Sequence, residues 1–254
     1  MANLYEVIGD EFTVRTFHKT WIQPLQTRPN ARNLVFTIML MSRRKYYDAL
    51  TTSQQVLVRQ TISVRETEDA FVRRLRKLEV KQGLYVDLND SSKEIPKDGL
   101  ILYMNMDPGD ELKAWFLMMN EMNDRIQSLS LHEKSPWREN SLELSSLVKS
   151  CIVKADTPTT YKLDIDTKEP EKIRALYEVI KNEKLQIVMM MSTKNGYHLF
   201  VREISSQNVH KFVQCNKDWV SIEKRGHLIV PGTLQASHLV TFTSFEKILG
   251  IEKT

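Results

Sequence analysis

Cysteine is almost missing from this chain: two residues, Cys151 and Cys215, in 254. They are far apart and lack metal-ligand spacing. That excludes a disulfide scaffold and a cysteine-built zinc site, and it suits a reducing compartment. Glycine and proline number eight each, too few for long disordered linkers. No run approaches the ~18 consecutive apolar residues of a membrane-spanning helix, and the N-terminus lacks the basic-then-apolar pattern of a secretory signal. A soluble intracellular protein, cytoplasmic or nuclear and with no membrane partner, is expected. A large charge excess of either sign is lacking too: 36 Lys and Arg against 32 Asp and Glu leave +4, with a pI near 8.9. Such mild basicity permits a polyanionic partner without requiring one. What is present is 41% hydrophobic residues, enough for one large domain or two small lobes.

In the first part of the chain, Glu11-Phe12-Thr13-Val14-Arg15 and Leu34 to Met39 read as strands, the second buried on both faces. From Ser42 the pattern turns helical, with Tyr46, Leu50, Val56 and Val58 roughly at helix spacing. Glu66 to Leu78 predicts a clearer helix with Phe71, Leu75 and Leu78 inward. Its outer side carries Arg73, Arg74, Arg76 and Lys77, a solvated face or, with Arg43, Arg44 and Lys45, a set of phosphate contacts. Leu84–Leu88 and Leu100–Met104 suggest a hairpin with a long loop. A helix should follow Asp107-Pro108-Gly109-Asp110 as far as about Arg125. Leu112, Trp115, Phe116 and Met119 would pack inward, and Met118, Met119 and Met122 would fill core. The serine-rich stretch 128–145 marks a boundary, giving an N-terminal α/β lobe over 1–145 and a second lobe over 146–254.

The second lobe is regular. Strands are expected at 159–166, 185–192 and 197–203 and again from Asp218, with helices at 170–182 and 206–215. This βαββαβ order is that of ferredoxin-like and RNA-recognition folds, and the class is α+β. Alternate residues of a strand share a face, so Asp164 and Asp166 point one way while Leu163 and Ile165 point into the core. Two like charges on one face call for a cation between them, or for backbone amides or basic side chains as partners. Antiparallel pairing of the first and last strands would bring Asp218 to the same place. The alternative is that Asp-Ile-Asp is only a strand leaving the core.

Three motifs resemble those of the archaeo-eukaryotic primase superfamily, the catalytic small subunits of primases and their primase-polymerase relatives. The first is Leu163-Asp164-Ile165-Asp166. The second is Ser192-Thr193-Lys194-Asn195-Gly196-Tyr197-His198. The third is Asp218-Trp219-Val220-Ser221 followed by Lys224, Arg225, His227 and the turn Pro231-Gly232-Thr233-Leu234-Gln235. Together they cover about residues 160–240. The resemblance implies an RNA-recognition-like catalytic lobe and two-metal phosphoryl transfer with Mg2+ or Mn2+ on Asp164, Asp166 and Asp218. Ser192, Lys194 and His198 would bind the incoming nucleoside triphosphate. Strand parity adds Arg202, and Lys224, Arg225 and His227 are further candidates. A single-stranded DNA template, and a helicase or second primase subunit, are the implied partners. Two departures stand out: no cysteines for a zinc stem, and a one-residue slip at the third acid that makes Glu223 a competitor of Asp218. The chemistry suits the residue types, because paired carboxylates hold the hard divalent ions that activate a 3′-hydroxyl and stabilise leaving pyrophosphate. Tyr197 and Phe200 are core residues or base-stacking ones. Competing readings are untemplated end addition or end joining at the same site, a non-catalytic single-strand-binding protein of the same fold, and a structural subunit of a replication complex.

Overall fold

A computed structural model describes residues 4–131, 147, 150–152, 154–155, 159–224 and 226–251. The first element is α1 (Glu11–Phe17), where a strand was expected. The Asp10 carboxylate caps it, accepting from the Phe12 amide and the Thr13 hydroxyl. Arg15 pairs with Glu11 one turn earlier and with Glu68 and Asp69 across the chain. Only Val14 and Phe17 are buried, three residues apart as a helix requires, so the short run of alternation misled.

Next come β1 (Leu34–Arg43) and β2 (Gln54–Ser63), antiparallel neighbours. Leu34 to Ser42 is buried throughout, as expected of a central strand. The segment with helix-like spacing is instead a turn around Tyr46 followed by β2. Leu40 pairs with Val58 and Met41 with Val56, leaving Leu57 as the extra residue of a bulge. A bulge shifts the period-two pattern by one residue and imitates helical spacing. The helix α2 (Glu68–Arg76) forms with Phe71 and Leu75 inward. Residues 84–88 make only one bridge, Val86 with Glu94. The Asp87 carboxylate holds this loop by accepting from Thr51 and Asn89. The expected hairpin is therefore absent, and β3 (Leu100–Asn105) pairs with β1. After the short β4 (Gly109–Asp110), α3 (Glu111–Leu131) is turned opposite to expectation. Leu112, Trp115, Phe116 and Met119 are exposed, while Ala114 and Met118 pack against Val35, Cys151 and Ile152. Apolar residues lie on both sides of this helix, so periodicity alone leaves its buried face undecided. Beyond residue 131 the expected lobe boundary lies outside the described residues.

The chain then runs β5 (Tyr161–Ile165), α4 (Pro170–Asn182), β6 (Ile187–Ser192), β7 (Tyr197–Val201), α5 (Gln207–Cys215) and β8 (Val220–Glu223). All lie within two residues of expectation. Together with β12 (Thr241–Phe242) these strands form an antiparallel sheet of order β12-β6-β7-β5-β8. Leu163, Ile165, Leu199 and Val220 pack on the helix side with Ile173, Leu176 and Ile180.

The strands β9 (His227–Ile229), β10 (Leu234–Gln235) and β11 (His238–Leu239) go back to the first sheet. Its order is β11-β10-β3-β1-β2, with β4 on β1 and β9 on β3. The division at 145/146 thus does not separate the sheets, because residues 227–239 complete the first one. The turn at Pro231-Gly232 makes this return. Gly232 has φ +84°, its carbonyl accepts from Gly9 and Asp10, and a Cβ there would strike the backbone of Asp10 and Val14. A small helix, α6 (Phe245–Leu249), closes the second core. The fold is α+β with antiparallel sheets. Among the described residues no helix is long and apolar enough to cross a membrane.

Candidate active site

On the second sheet, the face opposite the helices is only partly open. Its β6–β7 half carries Met189, Met191 and Phe200, which are buried in the core of the first sheet, with Phe200 edge-on to Trp21. Phe200 is thus core and takes no part in base stacking; Tyr197 packs in the second core. The β5–β8 half looks into a cavity of about 450 Å³ between the two sheets. Asp164 lines it from β5 and Asp166 from the residue just after that strand, His198 from β7, Glu223 from β8 and His227 from β9.

Residues opposite one another on paired strands share a face. Asp164 pairs with His198 on one side and Ser221 on the other; Lys162 pairs with Phe200 and Glu223. This register sets which acids share the Asp164 face. Glu223 has the parity of Ser221 and enters the cavity. Asp218 has the opposite parity, sits in the turn before β8, is exposed, and stands outside the cavity lining. Asp218 thus stands outside the cavity that Asp164 and Asp166 line, although its neighbour Trp219 accepts from the Asp166 amide. Among the described residues no group of three or more His, Cys, Asp or Glu side chains that could together hold a metal ion is gathered.

The hairpin reaches β5 because of Gly196. A Cβ at that position would collide with the Ile165 carbonyl oxygen, so only glycine lets the turn lie so close. Thr193 closes the turn through its hydroxyl and amide. As a result His198 Nε2 lies 3.1 Å from Asp164 Oδ1. Its Nδ1 is buried with no hydrogen-bond partner among the described residues, and the side chain is 8% exposed. This imidazole therefore holds Asp164 through Nε2 while lining the cavity. Burial alone would raise the Asp164 carboxyl, but His198, Lys162 and Lys45 outweigh it and bring its pKa down to about 2. The carboxylate is ionised at any physiological pH. Asp166 is exposed; its amide donates to the Trp219 carbonyl, while its carboxylate forms no hydrogen bond or ion pair among the described residues.

The remaining candidates are dispersed. Ser192 is paired between Tyr197 and Thr241, outside the lining. Lys194 is not part of the lining; its Nζ donates to the Ala236 carbonyl at 3.4 Å and lies 5.5 Å from the Tyr46 ring. Arg202 lines a separate depression of about 70 Å³ beside Trp21 and Thr159. Strand parity had placed it with His198, but β7 ends at Val201. Lys224 lies over Tyr161, outside the cavity, and Arg225 is outside the described residues. His227 lines the cavity with its ring 6.2 Å from Tyr103.

The facing wall comes from the first sheet. Arg43 and Lys45 enter the cavity, whereas Arg44 turns to the carbonyls of Leu50 and Thr51. Arg43 donates to the Tyr103 hydroxyl at 3.0 Å, and Arg59 reaches in from β2. Gln235, which ends the Pro-Gly-Thr-Leu-Gln turn, is 4% exposed. It donates to the Tyr46 hydroxyl at 2.7 Å and accepts from the Lys194 amide at 2.8 Å, joining the two walls. The basic face of α2 stands apart: Arg74 is paired with Glu66, and Arg76 with Glu79 and Glu11. Lys162, Arg59, Tyr46, Tyr103 and Gln235 were not picked out from the sequence. Lys162 alone was readable there, by its shared parity with Asp164 and Asp166.

Comparison with protein-family models, with curated proteins and with solved structures gives no match.

Proposed function

We propose that this chain is a metal-dependent, template-directed nucleotidyltransferase of the primase or primase-polymerase type. One observation carries the reading: an acidic pair, Asp164 and Asp166, lines a cavity whose other wall is Arg43, Lys45 and Arg59. A hard divalent ion and a polyphosphate are the ligands that need both walls at once. The donor set suits the ion. The Asp166 carboxylate has no partner among the described residues, Asp164 is ionised, and magnesium is commonly held by one or two carboxylates, waters and substrate phosphates. The strand order of the second sheet, with the acids at the end of its first strand, supports an RNA-recognition-like catalytic lobe.

In this reading Asp164 and Asp166 hold Mg2+ or Mn2+, and His198 keeps Asp164 oriented. Arg43, Lys45 and Arg59 take the triphosphate of the incoming nucleotide, with Lys194 beside Tyr46. Tyr46, flanked by Lys45 and Lys194 at 5.1 and 5.5 Å, offers a ring beside which a base or ribose can rest. The metal, when bound, supplies a more acidic 3′-hydroxyl and a stabilised pyrophosphate leaving group. A single-stranded DNA template is the partner that completes the reaction, and a helicase or second primase subunit is the protein partner proposed to supply initiation.

A second reading has one observation in its favour. Asp218 stands outside the cavity and no three-ligand metal group is assembled, as in a single-strand-binding protein that has lost catalysis. Incubation with template, NTPs or dNTPs and Mn2+ separates the two. Template-dependent products that vanish in Asp164→Asn/Asp166→Asn support the enzyme. Retained single-strand binding with no product supports the binding protein.

A further inference from the structure

The same face of β5 carries a third charged residue, and it is a cation. The Lys162 side chain is only 6% exposed. Its ammonium lies 2.8 Å from Glu223 Oε2, 3.9 Å from Asp164 Oδ2 and 3.2 Å from the His227 carbonyl oxygen. An ammonium has three protons to donate and no acceptor, so an all-oxygen surround of this kind is one a metal ion would also accept. The backbone makes room for it: a Cβ at Gly226 would collide with the same Glu223 oxygen. Glu223, the one other acid with the right parity, is therefore already neutralised from within the chain.

We propose that Lys162 is a built-in cation of the nucleotidyl-transfer site, standing where a second divalent ion would otherwise sit, so that the centre works with one metal held by Asp164 and Asp166. Three carboxylates and one ammonium leave two negative charges, which a single divalent ion neutralises. Lys162 is here a positioning and charge-balancing residue: it reaches the reacting groups only through Asp164 and Glu223. The inference rests on the functional reading above and specifies its metal count.

The test is electron paramagnetic resonance of the full-length chain with Mn2+ and a non-hydrolysable deoxynucleoside triphosphate. Two ions at the separation of a two-metal centre, about 3.5–4 Å, couple magnetically and broaden the spectrum. The wild type should show one uncoupled Mn2+ per chain. Lys162→Met frees Asp164 and Glu223 and should show two coupled ions; adding Glu223→Gln should return the count to one. A coupled pair in the wild type overturns the inference while leaving nucleotidyl transfer standing, and this arm needs no variant to fold. A folded Lys162→Met chain that still holds one ion also overturns it. An ion count indifferent to Asp164→Asn/Asp166→Asn contradicts both the inference and the functional reading.

Discussion

The two walls of the cavity are built on different principles. The wall from the second sheet is ordered by strand parity: Lys162, Asp164 and Asp166 alternate along β5 and the residue after it, and His198 and Glu223 face them by register. The wall from the first sheet is assembled from β1, the turn after it, β2, β3 and β10, and hydrogen bonds between side chains hold it. Arg43 bonds Tyr103, and Gln235 bonds Tyr46. One wall gathers carboxylates and the other cations and aromatic rings. The difference teaches that neither sheet alone describes a ligand. Under the proposed function the acids would take a metal and the basic wall an anion, and a metal-bound nucleotide would satisfy both.

Removing the acidic wall should have the largest effect. Asp164→Asn/Asp166→Asn is expected to lower primer extension by ~10³-fold or more, since a catalytic metal contributes several kcal/mol. Circular dichroism should stay unchanged. Breaking the junction between β5 and the hairpin comes next. Gly196→Ala places a methyl against the Ile165 carbonyl and should cost about 3 kcal/mol in urea unfolding, the upper range for overpacking. It should also weaken Mn2+ binding by displacing His198 from Asp164.

The basic wall is sharpened by Arg59→Ala. It should raise the nucleotide KM by about 10-fold, as expected for one charged hydrogen bond, with kcat changed less. The equivalent change in α2, Arg74→Ala, should leave KM alone, because Arg74 bonds Glu66.

The smallest effect lies outside the cavity. Burial pushes the pKa of His18 below 6.5. The neutral ring that the fold favours contributes its full stability above the unfolded value. That contribution is lost as pH falls from about 6.5 toward the lower folded-state pKa. The urea midpoint should drop between pH 7.5 and 5.5, and less so in His18→Gln.

These contrasts also account for what could be read from the chain. The bounds of α4 were legible because Pro170 opens it and Ile173, Leu176 and Ile180 recur at helix spacing. The Asp pair was legible because β5 is short, regular and buried on one side. Asp218 was misplaced because its turn precedes the register that decides which β8 residues face β5. The N-terminal region was read poorly because a bulge at Leu57, a capped seven-residue helix and a double-faced α3 each disturb the local period. The basic wall was largely invisible because Arg59, Tyr103 and Gln235 meet only when β2, β3 and β10 join one sheet. Arg43 and Lys45 were noticed as candidate phosphate contacts, but in company with the α2 arginines rather than with the acids.

The most direct measurement is anomalous diffraction from crystals soaked in Mn2+ with a non-hydrolysable deoxynucleoside triphosphate. The account predicts a manganese peak bonded by the Asp164 and Asp166 carboxylates, with the triphosphate running toward Arg43, Lys45 and Arg59. A peak elsewhere, or a nucleotide bound away from that basic wall, would contradict it.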